Sequence, residues 1–221
     1  MPDIRADFSE RVCVETHRAP WLASPANGVE RRMLDRIGDE QARATSIVRY
    51  APGSVFPSHE HGLGEEFLVL EGVFEDEHGR YPAGTYVRNP PGSAHAPRAP
   101  NGCTIFVKLR QFRAADHRHC VIDTSLAAWS AGPVPGVERL RLHDDGHESV
   151  ALLRWREDAG LPEAEYPGGM ECLVLDGHFA DAEGSYTTGT WLRLPPGSGQ
   201  RARGAGGCRL WIKTGHLAAQ A

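Results

Sequence analysis

Cysteine, net charge and long apolar runs are all scarce in this 221-residue chain. The five cysteines (13, 103, 120, 172 and 208) are widely spaced and form no CxxC pair. That argues against a disulfide framework or a zinc ribbon, and makes a reducing, cytoplasmic setting the expectation. No run approaches the roughly 18 apolar residues that a membrane-spanning helix needs, so no membrane partner is expected. The N-terminus shows no basic start followed by an apolar stretch, and so no secretory signal is read there. The 24 basic and 29 acidic side chains leave a net charge of −5, spread evenly. No basic stripe offers itself to nucleic acid, and no polybasic or amphipathic segment to lipid. Helical periodicity is also poor, with one weak candidate at 125–132.

What the chain does have is turn punctuation. It holds 25 glycines and 16 prolines, with 40% hydrophobic residues to build a core. Many short strands are expected rather than long helices. The chain also repeats itself. "EEFLVLEGVFEDEHGRYPAGTYVRNPPGSAH" at 65–95 matches "MECLVLDGHFADAEGSYTTGTWLRLPPGSGQ" at 170–200, at a constant offset of 105. Gly72/Gly177, Tyr81/Tyr186, Arg88/Arg193, Gly92/Gly197, Cys103/Cys208 and Lys108/Lys213 all follow it. Upstream the offset becomes 108 for Trp21/Trp129 and for "GVER" at 28–31 and 136–139, and "VCVE" at 12–15 faces "HCVI" at 119–122. Each half is rich in short Val-, Ile- and Phe-bearing runs bounded by Gly or Pro. The expected fold is all-β, two tandem β-barrels, with domains at 1–111 and 112–221.

Chemistry concentrates in the first half. His59 and His61 sit two apart, which on a strand puts both imidazoles on one face. Glu65 follows after Gly62-Leu63-Gly64, and His95 follows the turn "NPPGS". Three imidazoles and a carboxylate suit a divalent metal. An HxH alone is weak, and exposed pairs are common; the second half supplies the control. The positions facing His59, His61, Glu65 and His95 are Ala164, Tyr166, Met170 and Gln200. All four differ together while the scaffold around them matches, as in a metal site kept in one copy and absent from the other.

These motifs resemble the cupin superfamily. Gly53, five residues, His59-x-His61, three residues, Glu65, six residues and Gly72 fit the first cupin motif. Gly84, five residues, Pro90-x-Gly92, two residues and His95 fit the second, with Ala99 where the pattern closes on Asn. The "HxHxxxExxLVLxG" run, Trp21 and "GVER" are similar to the cupin domain of ChrR-type anti-sigma factors. The resemblance implies two jelly-roll barrels, with His59, His61, Glu65 and His95 as metal ligands in the first and a degenerate second barrel. That family's helical HxxxCxxC zinc module has no counterpart here, so a sigma factor is not expected as partner.

The donor set includes no sulfur. Zn²⁺ and Fe²⁺ are the leading candidates, with Mn²⁺, Ni²⁺ and Co²⁺ compatible. Two functions stay open. Iron, with positions left free, would support dioxygenase-type chemistry on a small diketone-like oxygen chelator, as in relatives of this family. Zinc, closed by four protein ligands, would make a sensory or merely stabilising site. Phe67 and Val69 share the predicted face of Glu65 and read as barrel core or as an apolar wall. His117, His119 and Cys120 read as a solvated linker, and "HDDGHE" at 143–148, metal-like in composition, reads better as a turn. Cys103 and Cys208 read as paired core positions. Tyr166, Met170 and Gln200 could line a metal-free pocket, but a filled barrel is the stronger reading. Trp155, Trp191 and Trp211, opposite Tyr50, Tyr86 and Phe106, are expected to fill space in the second barrel. Fusion of two barrels mimics a dimer, and further homodimerisation stays open.

Overall fold

Strand alternation decides which side chains meet inside each barrel. In the computed structural model, which describes residues 3–39, 41–157 and 159–217, the strand Glu65–Glu75 pairs with Cys103–Leu109, which pairs with Arg43–Tyr50, which pairs with Val29–Ile37, all antiparallel. Directly opposed residues share a face. One face therefore carries four rows: Glu65–Leu109–Ala44–Arg36, Phe67–Val107–Ser46–Met33, Val69–Ile105–Val48–Arg31 and Gly72–Cys103–Tyr50–Val29. The lower rows pack with Phe74, Tyr81, Val87 and Ala99 as a buried core. Phe67 and Val69 are part of it. Each such side chain contributes about 1.5–3 kcal/mol by leaving water.

The second half repeats the rows as Met170–Thr214–Ser149–Asp144, Cys172–Ile212–Ala151–Arg141, Val174–Leu210–Leu153–Arg139 and Gly177–Cys208–Trp155–Val137. Both halves are jelly-roll barrels built in tandem. Gly72 and Gly177 anchor the fourth row at φ +71° and +72°. A Cβ at either would stand 2.2 Å from a backbone oxygen, of Gly102 or Gly207. No other residue fits, which is why the repeat retains both.

The compact units exchange short segments across the 111/112 division of the sequence repeat. One unit comprises 1–6 and 19–127, the other 7–18 and 128–221. Val12–Glu15 pairs with Thr190–Leu194 in the second unit, and Cys120–Asp123 pairs with Thr85–Asn89 in the first. Each barrel thus has an exposed edge covered by a strand from the other sequence half.

The opposite sheet face in the first unit holds buried charge. Glu66 accepts hydrogen bonds from Tyr86 Oη (2.6 Å) and Arg88 Nη1 (3.0 Å), and the Arg88 guanidinium lies 3.8 Å from the Phe112 ring centroid. In the second unit Arg193 stacks on Phe8 in the same manner.

The strands correct two sequence expectations and bear out a third. The stretch 125–132 is not a helix. Asp123 Oδ1 caps a single turn, Leu126 is 84% exposed, and Ser130–Ala131 is already strand. It has no apolar face to stabilise a longer helix. Of the three tryptophans, only Trp155 lies in the second barrel's core cluster. Trp191 and Trp211 alternate with the inward residues Leu192 and Leu210 and so point to the other face. Residues 143–148 form the expected turn, with Gly146 at φ +81° and Asp145 Oδ1 accepting from the His147 and Glu148 amides. No helix among the described residues is long and apolar enough to cross a membrane.

Candidate metal centre

A two-residue strand, His59–Glu60, pairs with Ala94–His95, and the register sets His59 directly opposite His95. His61 is clamped next to them: its amide donates to Ser93 O (2.8 Å) and its carbonyl accepts from the Gly92 amide (2.9 Å). Gly64, at φ +75°, reverses the chain; a Cβ there would meet the Phe112 ring at 2.4 Å. Glu65 then opens its strand on the inward face. The structure brings His59, His61, Glu65 and His95 together, with one ligand atom from each lying within 4.8 Å of the others. The three imidazole centroids are 4.6–5.0 Å apart.

The hydrogen bonds assign the nitrogens. His59 Nδ1 faces Pro57 O (3.1 Å), His61 Nδ1 faces Ser93 Oγ (2.9 Å), and His95 Nδ1 faces Asp76 Oδ2 (3.1 Å). A proton on Nδ1 satisfies the carbonyl and the carboxylate, and leaves Nε2 as the lone-pair atom. The Nε2 atoms of His61 and His95 are buried with no hydrogen-bond partner. They stand 3.6 and 3.5 Å from Glu65 Oε1. Donors sharing one ion at about 2.0–2.2 Å lie about 3 Å or a little more apart, so these distances fit a common cation. Buried orphan acceptors beside a carboxylate are costly without one. The residues fit a divalent metal.

Asp76 is the pivot behind His95. Its Oδ1 accepts from the His78 and Gly79 amides and from Tyr81 Oη. Burial opposes its charge, but hydrogen bonds from His95 and the His78 amide prevail and hold it below the usual carboxylate value. For His95, burial favours the neutral ring, while the Asp76 hydrogen bond and the Glu65 charge outweigh it and raise the pKa. For His61, burial dominates over the Glu65 attraction and lowers it. Asn89 Nδ2 donates to Glu65 Oε1 at 3.3 Å, fixing the carboxylate.

The sequence profile of the ChrR cupin-like domain matches residues 9–113 and again 117–218. The chain belongs to the ChrR cupin-like family. No curated protein matches it in sequence. Among solved structures, a candidate dioxygenase from Nostoc punctiforme aligns at TM-score 0.80 and 15% identity, covering 96% of this chain and 85% of that one. The pirin YhhW from Escherichia coli, solved with nickel(II), aligns at 0.66 and 14%, covering 93% and 98%. An oxalate decarboxylase from Bacillus subtilis, carrying one tryptophan-to-phenylalanine substitution, aligns at 0.60 and 12%, covering 91% and 76%. At these identities the likeness is one of fold.

In the second barrel of this bicupin, Ala164 pairs with Gln200, and Tyr166 and Met170 belong to the core cluster. Gln200 Nε2 donates to Asp181 Oδ2 at 2.7 Å, and Tyr186 Oη donates to Asp181 Oδ1 at 2.7 Å. The carboxylate behind His95 is thus retained behind Gln200. Sequence reasoning missed Asp76, Ser93 and Asn89. Asp76/Asp181 and Ser93/Ser198 were visible as matched pairs, and Asn89/Leu194 as a fifth difference accompanying the four ligands. His117 and His119 are exposed and join no cluster of ligand atoms among the described residues. Cys103 and Cys208 are buried, and burial pushes both thiols up to about 12, as befits core positions rather than nucleophiles.

Proposed function

We propose that this bicupin is a metal-dependent dioxygenase, with one divalent ion held by His59, His61, Glu65 and His95, acting on a small diketone-like oxygen chelator. The observation that carries the reading is the donor set: three oriented imidazoles and one carboxylate, with no thiolate, in one barrel only. Iron(II) favours six ligands, so four from protein leave room for a bidentate substrate. Bound there, the ion supplies Lewis-acid polarisation and a redox partner for dioxygen.

The chain's own residues do the rest. Asp76 keeps the proton on His95 Nδ1, and Ser93 and Pro57 O orient the other rings. Glu65 serves as ligand rather than general base, with Asn89 restraining its rotation. Half-buried Phe56 packs edge-on against half-buried His59, with ring centroids 5.1 Å apart, and sits on the core with half-buried Val48 and Leu109, so it would give a bound chelator an apolar neighbour. The fold-level likeness to a candidate dioxygenase supports the same reading.

Elemental analysis of untagged protein, followed by an oxygen electrode with pentane-2,4-dione, tests it. About one iron per chain and oxygen uptake matched one-to-one by diketone loss is the expected result. Zinc as purified, with no uptake by iron-loaded protein, would overturn it in favour of the sensory site.

A further inference from the structure

The inward rows of the first barrel hold two cations that the metal centre does not use. Arg36 lies in the same row as Glu65, separated by Leu109 and Ala44, and Arg31 lies two rows along opposite Val48. A β-bulge between Met33 and Asp35 turns Arg36 to this face. Arg36 is 6% exposed and Arg31 is half-buried. The Nε atoms of both are buried without a hydrogen-bond partner. Arg36 Nη2 donates to the Asp39 carbonyl. The Asp39 carboxylate lies within electrostatic reach of Arg36, but no carboxylate among the described residues forms an ion pair within 4.0 Å of either guanidinium. Burial, and after it the charge of Arg36, lowers the Arg31 pKa, which places the two heads within electrostatic reach of each other. Two like charges with unfilled donors inside one barrel are unfavourable unless an anion joins them.

The second barrel is the internal control. The residues in the rows of Arg31 and Arg36 are Arg139 and Asp144, and Arg141 stands where the first barrel has Met33. There Arg139 Nη2 donates to Ser149 Oγ (2.6 Å), and Arg141 lies 4.0 Å from Asp144. The barrel without the ligand set has an acid where the first has Arg36, and Arg139, the counterpart of Arg31, has a side-chain acceptor. The unsatisfied pair occurs where the four candidate metal ligands occur.

We infer that Arg31 and Arg36 form an anion subsite, and that the substrate is a small organic acid: an oxygen chelator at the metal end with a carboxylate at the other. Glu65 and Arg36 are three strand spacings apart, about 14 Å in a flat sheet and less in a curled one. Leu109 and the small Ala44 occupy the two positions between them in the row. A guanidinium fork pairs with a carboxylate through two parallel hydrogen bonds, so the site selects for that group. The inference rests on the proposed metal centre for the chelating end only.

The test uses the full chain loaded with cobalt(II), titrated by its visible spectrum with 2-oxoglutarate and with 2-oxovalerate. Both have the same chelating end and chain length; only the first has a terminal carboxylate. The dicarboxylate is expected to bind about ten- to a hundredfold tighter, the worth of one charge-assisted hydrogen bond. In Arg31→Met and Arg36→Met that preference falls to within about twofold while cobalt uptake and 2-oxovalerate affinity hold, since Met keeps the aliphatic stem. Arg36→Gln, which retains a donor for the Asp39 carbonyl, serves if Arg36→Met fails to fold. Equal affinity for the two acids in the wild type, or a preference untouched by the arginine variants, overturns the inference. If the protein takes up no cobalt, the metal reading fails alone. Calorimetry with 2-oxoglutarate then decides the subsite: arginine-dependent binding upholds it, and no binding removes it.

Discussion

Replacing His95 by Gln makes the first barrel copy the second at one ligand position. The structure shows how that side chain is accommodated, because Gln200 donates to Asp181 at 2.7 Å as His95 bonds to Asp76 at 3.1 Å. One hydrogen bond replaces another, and the neighbouring Tyr81 and Tyr186 contacts are alike. The metal-free His95→Gln protein should therefore unfold within about 1 kcal/mol of wild type. Its metal affinity should fall much further. A four-ligand site is worth about 10–16 kcal/mol, or about 2.5–4 kcal/mol for each donor, which is about a hundred- to a thousandfold in Kd. At a metal concentration about a hundred times the wild-type Kd, the ion adds about 2.7 kcal/mol to wild-type stability; with Kd raised a hundredfold it adds only about 0.4 kcal/mol. Denaturant unfolding with and without metal reads both quantities. A variant that binds metal within about tenfold of wild type would refute the ligand role. A metal-free variant destabilised by several kcal/mol would refute the argument that the two barrels share one frame.

Asp76→Asn should lower metal affinity about ten- to a hundredfold by competition titration, because the amide can turn a donor toward His95 and move the ring proton onto Nε2. Gly72→Ala should cost more than about 3 kcal/mol in denaturant unfolding, since its Cβ meets the Gly102 oxygen at 2.2 Å and its φ is +71°; an effect under about 1 kcal/mol would contradict the close approach. For Asp181, burial opposes the charge, but hydrogen bonds from Gln200 and Tyr186 and the Arg11 charge hold its folded pKa below the usual carboxylate range. Its stabilising contribution is then fully present above the unfolded pKa and is lost as pH falls through the lower folded one. Wild type and Asp181→Asn should differ most near neutrality and converge in acid unfolding; a gap that widens with acid would reverse the sign.

The repeat, the strand punctuation and the ligand set are all local matters, and residues 53–72 and 84–95 carried them openly. HxH spacing needs only the period of a strand, and the paired glycines needed only a comparison of the halves. The second barrel's lack of the ligand set was equally visible, because Ala164, Tyr166, Met170 and Gln200 stand at the four positions at one offset. Other features depend on which strands become neighbours. The tryptophans misled because the comparison of halves shows where ring volume recurs but not which face it enters; alternation sends Trp191 and Trp211 away from the barrel core. The partner of His95 stayed hidden because Asp76 is 19 residues away and is equally useful as a turn cap in both barrels.

By itself, then, the sequence determined the all-β repeat, the asymmetry between the halves and the four candidate donors, since each follows from composition and spacing along the chain. The tertiary structure alone decided that Val12–Glu15 completes the second barrel and Cys120–Asp123 the first, that Asp76 holds the proton behind His95, and that a bulge after Met33 turns Arg36 onto the row of Glu65. Those outcomes are set by long-range register, where a shift of one residue exchanges the faces of a strand and no local pattern records it.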